Sequence, residues 1–105
     1  MTTEADRNIV EIPYDSGAIK FRYARVMSPD GTRWVLHGFF LAYHVNGTVA
    51  SEGHFTDGKE DGLWRDFHSN GVLASEGQYR SGKEVGVWRF WISDGAEDSV
   101  RDYGD

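Results

Sequence analysis

The chain has 105 residues with 13 Gly, 4 Trp, 5 Tyr and 6 Phe, only 2 Pro and no Cys, and a net charge of −6. One domain is the expectation at this length, and the missing cysteines exclude a disulfide framework and thiolate metal sites. The aromatic content is what disordered chains lack, and the acidic balance repels phosphate backbones and anionic membranes, so neither nucleic acid nor membrane is an expected partner.

The N-terminal MTTEADRN has neither a basic n-region nor an apolar h-region, and no apolar run approaches the roughly 20 residues of a membrane span, so a cytoplasmic location is expected. Thereafter short alternating stretches separated by turn pairs predict an all-β chain. Strands are expected over about 8–14, 18–28, 32–44, 48–56, 60–68, 72–80, 84–92 and 96–103. Asp30-Gly31, Asp57-Gly58 and Ser81-Gly82 close hairpins. Ser16-Gly17, Asn46-Gly47, Asn70-Gly71 and Asp94-Gly95 join one hairpin to the next. Such pairs tolerate positive φ at both centres, so two-residue loops are predicted throughout. No helix-length amphipathic stretch intervenes. The fold class is therefore an antiparallel meander of about eight strands, a single-layer twisted sheet of successive hairpins.

A repeat dominates this series. HVNGTVASEGHFTDGKEDGLWRDF, His44 to Phe67, is followed at once by HSNGVLASEGQYRSGKEVGVWRFW, His68 to Trp91. The organisation is one domain over 1–105, with a longer, degenerate first hairpin over 8–43, repeats over 44–67 and 68–91, and a partial repeat with an acidic tail over 92–105. The first hairpin carries three extra residues on each side of Gly31. Equal lengthening of both arms is what a hairpin allows, because it preserves pairing.

Two-residue loops fix the cross-strand partners. Gly53 is predicted opposite Gly62, Ser51 opposite Trp64, Gly77 opposite Gly86, Ser75 opposite Trp88, Trp64 opposite Gly77, Arg65 opposite Glu76 and Glu11 opposite Arg22. Gly53, Gly62, Gly77 and Gly86 thus form bare backbone beside Trp64 and Trp88, a structural use of glycines otherwise costly in strands. The charged pairs set register and are not catalytic dyads. Alternation puts Val10, Ile12, Tyr14, Ile19, Phe21, Tyr23, Phe40, Phe55, Trp64, Leu73, Tyr79, Trp88 and Phe90 on one face. The other mixes Phe39, Tyr43, Leu63, Phe67, Val87 and Trp91 with Glu52, Arg65, Glu76 and Arg89. With no helix to cover the apolar face, the sheet must curl, dimerise or take a partner.

GHFTDGKEDGLW and GQYRSGKEVGVW, of the form G-x-[FY]-x-x-G-K-x-x-G-x-W, resemble the MORN (membrane occupation and recognition nexus) repeat. With the preceding H-x-N-G-x-x-A-S-E-G they look more like the bacterial repeats of YwqK-type antitoxins. The resemblance is strong over 43–92, degenerate over 14–43, where Tyr23 replaces a repeat glycine and Phe40 the Trp, and partial over 93–103, where Arg101 takes a glycine position. It implies successive hairpins in one sheet, no enzymatic activity, and action by binding other proteins, such as a toxin made nearby.

Chemistry-bearing residues are weighed against that. His44 and His68 share a repeat position, and neither they nor His37 and His54 have metal-ligand spacing, so no metal or other cofactor is expected. Ser51-Glu52 and Ser75-Glu76 are duplicated with the repeat, and no third group is placed to orient a base. Lys59 and Lys83 follow turn glycines and face solvent. The expected function is a protein-binding module, an antitoxin or immunity protein occluding a basic toxin, with Tyr43, Phe67 and Trp91 as anchors beside Glu52, Asp61 and Glu76. The competing reading of the same three aromatics is stacking along the strands within the sheet. The runner-up is a structural scaffold, a homodimer packed through its apolar faces.

Overall fold

A computed structural model describes residues 7–105; the N-terminal segment read for a signal peptide lies largely outside them. The strands are β1 (Arg7–Pro13), β2 (Ile19–Met27), β3 (Trp34–Tyr43), β4 (Val49–Thr56), β5 (Lys59–Glu60), β6 (Gly62–Phe67), β7 (Leu73–Arg80), β8 (Lys83–Trp91) and β9 (Glu97–Asp102). They form one antiparallel sheet in the order β1-β2-β3-β4-β6-β7-β8-β9, with β5 paired to β4. The eight expected arms are all present. The count becomes nine because the fifth arm breaks at Asp61. No helix of the described residues is long and apolar enough to cross a membrane.

The sheet is a single open layer. It measures 46 × 40 × 19 Å, and its radius of gyration of 15.4 Å exceeds the roughly 13 Å of a compact 100-residue domain. Its core is consequently a line of rings along one face. Phe21 and Tyr23 contact Phe40, which contacts Phe55 and Trp64; Trp64 continues to Tyr79, Tyr79 to Trp88, and Trp88 to Phe90 and Tyr103. Each such pair contributes about 0.5–1.5 kcal/mol beyond area burial. Trp64 and Trp88 in this line are only 8 % and 5 % exposed within one copy.

How a single layer buries two indoles is explained by a departure from the expected register. Near each hairpin turn the pairing follows the predicted alignment, as at Phe55 with Glu60 and Gln78 with Val85. Beyond the glycine it jumps by two, so that Ser51 faces Asp66 rather than Trp64, and Ser75 faces Phe90 rather than Trp88. The first hairpin jumps identically, from Arg25 with Leu36 to Tyr23 with Phe40. Gly53 and Gly77 are therefore not paired with Gly62 and Gly86. Each glycine on β4 or β7 faces a buckled segment with two extra residues, whose left-handed glycine (Gly62 at φ 87, Gly86 at φ 69) lets it fold over. The indole then lies across the glycine backbone. A Cβ on Gly53 would stand 2.2 Å from Trp64 Cε2, and one on Gly77 would stand 2.0 Å from Trp88 Cδ2. Trp64 Nε1 reaches over to donate to the His54 carbonyl (3.3 Å), and Trp88 Nε1 to that of Gln78 (3.2 Å).

The turns divide into two kinds. Asp57-Gly58 and Ser81-Gly82 have positive φ at both residues, as two-residue type I′ loops require. The links do not: only Gly17, Gly47, Gly71 and Gly95 are left-handed, and the loops are three residues long, closed by bonds such as His44 N–H to Thr48 O at 2.8 Å. A bulge after each link restores the calculated alignment, which is why Trp64 does face Gly77, Arg65 faces Glu76 and Glu11 faces Arg22. Asp30-Gly31 likewise forms a longer loop, with only Gly31 left-handed; there Ser28 and Thr32 donate to the Asp30 carboxylate and lower its pKa to about 2.

The repeat histidines are rungs between hairpins. His44 Nε2 meets the Phe67 carbonyl and His68 Nε2 the Trp91 carbonyl, both at 2.8 Å. Asn46 and Asn70 donate to the carbonyls of Ser69 and Ser93. In the degenerate hairpin Tyr14 takes the histidine's place, its hydroxyl donating to the Tyr43 carbonyl at 2.6 Å. At the opposite end, Gly58 N–H donates to Leu36 O and Gly82 N–H to Glu60 O, tying each hairpin tip to the preceding repeat. His68→Ala should therefore cost about 1–2 kcal/mol in urea unfolding, from the lost bond and the orphaned carbonyl. Unchanged stability would reduce the rung to an ornament.

Candidate functional site

The second face is organised by charge. Cross-strand pairing aligns Glu11, Arg22, Leu41, Glu52, Arg65, Glu76, Arg89 and Val100 in one row across the sheet. Arg22 lies 3.3 Å from Glu11, and Arg65 sits between two carboxylates, 2.6 Å from Glu76 and 3.6 Å from Glu52. The hydrogen bond to Glu76 raises the Arg65 pKa above its ordinary value, with desolvation opposing and the charges of Glu76 and Glu52 assisting. Arg89 bonds onward to Glu97 at 3.3 Å. Opposite charges across an antiparallel pair are worth roughly 0.2–1 kcal/mol, so this ladder sets register more than it stabilises.

Beside it runs an apolar row at the repeat spacing, Phe39, Leu63 and Val87, each one residue past a buckling glycine. Leu63 and Val87 are 41 % and 49 % exposed. The buckle that folds Trp64 onto one face thus lifts Leu63 outward on the other. Where it splits the fifth arm, a groove of about 600 Å³ opens, lined by Phe39, Leu41, Glu52, His54, Asp61, Leu63 and Arg65 together with Phe40, Gly53 and Gly62. Asp61 is fixed at its rim: its N–H donates to His54 O at 2.9 Å, and Thr56 Oγ1 donates to its carboxylate at 3.3 Å.

Of the six expected contact residues, the structure brings Glu52 and Asp61 into this groove, and Glu76 adjoins it through Arg65. Tyr43 lies elsewhere, in a smaller hollow of about 340 Å³ with Glu11, Ile19, Arg22 and Gly47. Phe67 and Trp91 are half-buried at strand ends, where their carbonyls accept the histidine rungs, and their rings stand outside the aromatic chain. The three aromatics thus do not converge with the three acids. Phe39, Leu41 and Leu63, absent from the expected contact set, form the groove's apolar walls; the repeat position that Phe39 shares with Leu63 was the available signal, whereas Leu41 stands where the next repeat has Arg65.

Several further polar groups have structural partners. Ser51 Oγ donates to one oxygen of Asp66 at 2.5 Å and Ser75 Oγ to the other at 2.7 Å, a clamp joining three strands on the aromatic face. His37 Nδ1 accepts from the Asp57 N–H at 3.2 Å at a hairpin tip. Among the described residues no group of three or more His, Asp or Glu side chains could hold a metal ion. No protein-family model, curated protein or solved structure matches the chain.

Proposed function

We propose that the chain is a non-catalytic protein-binding module of the MORN-like, YwqK-type kind, an antitoxin or immunity protein that occludes a basic toxin with its charge-laddered face. The observation that carries this reading is the groove and apolar row on that face, where Leu63 stands exposed beside Glu52 and Asp61 and Val87 continues the row one hairpin further on. Apolar side chains ringed by charge supply an anchor, and a net charge of −6 accelerates encounter with a basic protein. A cytoplasmic location belongs to the same reading, since such a protein acts where the toxin is made. The scaffold alternative, two copies packed through their aromatic faces, draws less support: Trp64 and Trp88, which that dimer would cover, are already buried in one copy.

The test is co-expression with the product of each adjacent gene. One such product should arrest growth alone, be tolerated beside this protein, and co-purify with it. If no neighbour is both toxic and neutralised, the antitoxin reading fails. A dimer in sedimentation would then favour the scaffold.

A further inference from the structure

The charge ladder has a gap. Along the row, acid and arginine alternate from Glu11 to Arg22 and from Glu52 through Arg65 and Glu76 to Arg89, but Leu41 stands between Arg22 and Glu52. Arg65 divides itself between two carboxylates and favours Glu76, at 2.6 Å against 3.6 Å for Glu52. Glu52 is thus the less satisfied acid, with a leucine on its other flank. The groove opens at this place, and Asp61 supplies a second carboxylate at its rim. In the next repeat the Asp61 position is Val85, which remains paired with Gln78, so the acid and the split arm occur together in one copy of the repeat.

The groove's aromatic wall suits a planar cation. Phe39 already has the Arg22 guanidinium 5.8 Å from its ring centroid, and the molecule stacks Arg25 on Trp34 at 4.2 Å. Guanidinium groups combine such stacking with forked bonding to carboxylates, which an ammonium does not.

We propose that this groove receives an arginine side chain of a basic protein partner, its stem over Leu41 between Phe39 and Leu63 and its guanidinium between Glu52 and Asp61. The inserted guanidinium gives Glu52 the close cation that Arg65, held at 2.6 Å by Glu76, supplies only at 3.6 Å. The proposal rests on the reading of this face as protein-binding, and names the chemistry by which it recognises its partner.

The probe is a capped Gly-Gly-Arg-Gly-Gly peptide, titrated into the full chain and followed by amide chemical shifts, with lysine and citrulline peptides as comparisons. The arginine peptide should move Leu41, Glu52, Asp61 and Gly62 in a saturable manner, more strongly than either comparison. Glu52→Gln with Asp61→Asn should weaken it roughly tenfold, as expected when charge-assisted bonds become neutral. Glu84→Gln with Asp94→Asn, which removes as much charge elsewhere, should not. Undiminished shift dispersion in each variant verifies folding. Equal responses to arginine and lysine, shifts spread over the acids of β9, or no response would each overturn the proposal. Against a neutralised toxin the two readings separate. If the Glu52→Gln, Asp61→Asn variant still neutralises while Leu63→Arg does not, the face binds without this notch. If both variants still neutralise, the face itself is misassigned.

Discussion

Gly77→Ala should destabilise the sheet by about 1–3 kcal/mol, at the upper end of that range, because it overpacks a site that cannot relax. The added Cβ would fall 2.0 Å from Trp88 Cδ2. Trp88 cannot swing away cheaply: its Nε1–H is bonded to Gln78 O, and Tyr79, Phe90 and Tyr103 pack around the ring. Equilibrium urea unfolding should register the loss, with a fall in Tm of about 4–8 °C per kcal/mol for a domain of this size. The discriminating measurement is the double-mutant cycle with Trp88→Leu. In that background Gly77→Ala should cost little, since the obstruction is the indole and the Gly77 backbone has no left-handed φ. Gly62→Ala makes the contrast. Nothing lies within 4 Å of a Cβ there, but φ is +87°, so its cost of about 1–2 kcal/mol should persist whatever replaces Trp64. If Gly77→Ala costs the same with and without Trp88, steric reservation for the ring is the wrong account.

That contrast also marks where the sequence is legible. Turn pairs and the repeat period suffice for the strand order and for the sorting of side chains within the strands, because alternation survives a register shift of two; it does not survive the one-residue bulges, where Leu73, sorted to the aromatic face, pairs with Phe67 of the other. The links pair as calculated for a less obvious reason: a three-residue loop plus its bulge restores the alignment of a two-residue loop, as Arg65 with Glu76 shows. The hairpin interiors do not pair as calculated, because Gly62 and Gly86 buckle β6 and β8 and add two residues to one arm. A strand glycine in sequence does not declare whether it makes room for a ring, as Gly53 does, or turns left-handed, as Gly62 does. Its near-identical copies encode both uses at fixed positions, and only the geometry separates them.

The candidate site was legible in its acids and not in its walls. Glu52 and Asp61 stand out from net charge and from the difference between copies at Asp61 and Val85. Tyr43, Phe67 and Trp91 stand out by size, but their repeat position is the strand end whose carbonyls receive the rungs from Tyr14, His44 and His68. What sequence spacing cannot convey is that the buckle raises the residue after its glycine. Leu63 and Val87 read as minor members of a mixed face, yet the same distortion that buries one indole exposes one aliphatic side chain beneath it.

Leu63→Arg and Val87→Arg should therefore separate stability from recognition. Both side chains are substantially exposed, at 41 % and 49 %, so each variant should melt within a few degrees of the wild type. On the proposed function, binding to the neutralised toxin should weaken by about 30-fold or more for Leu63→Arg. A hot-spot contact is worth about 2 kcal/mol on truncation, and an introduced cation adds repulsion against a basic partner. Val87→Arg, one hairpin further from the groove, should weaken binding less. Calorimetric titration beside thermal unfolding measures both quantities on the same samples. His68→Ala supplies the opposite pattern, with lowered stability and retained affinity, since its side chain bonds the Trp91 carbonyl at the sheet's turn edge. Affinity that follows melting temperature across all three variants would mean that the partner reads only the folded state. Affinity lost at Leu63 without loss of stability would locate recognition on the charge-laddered face.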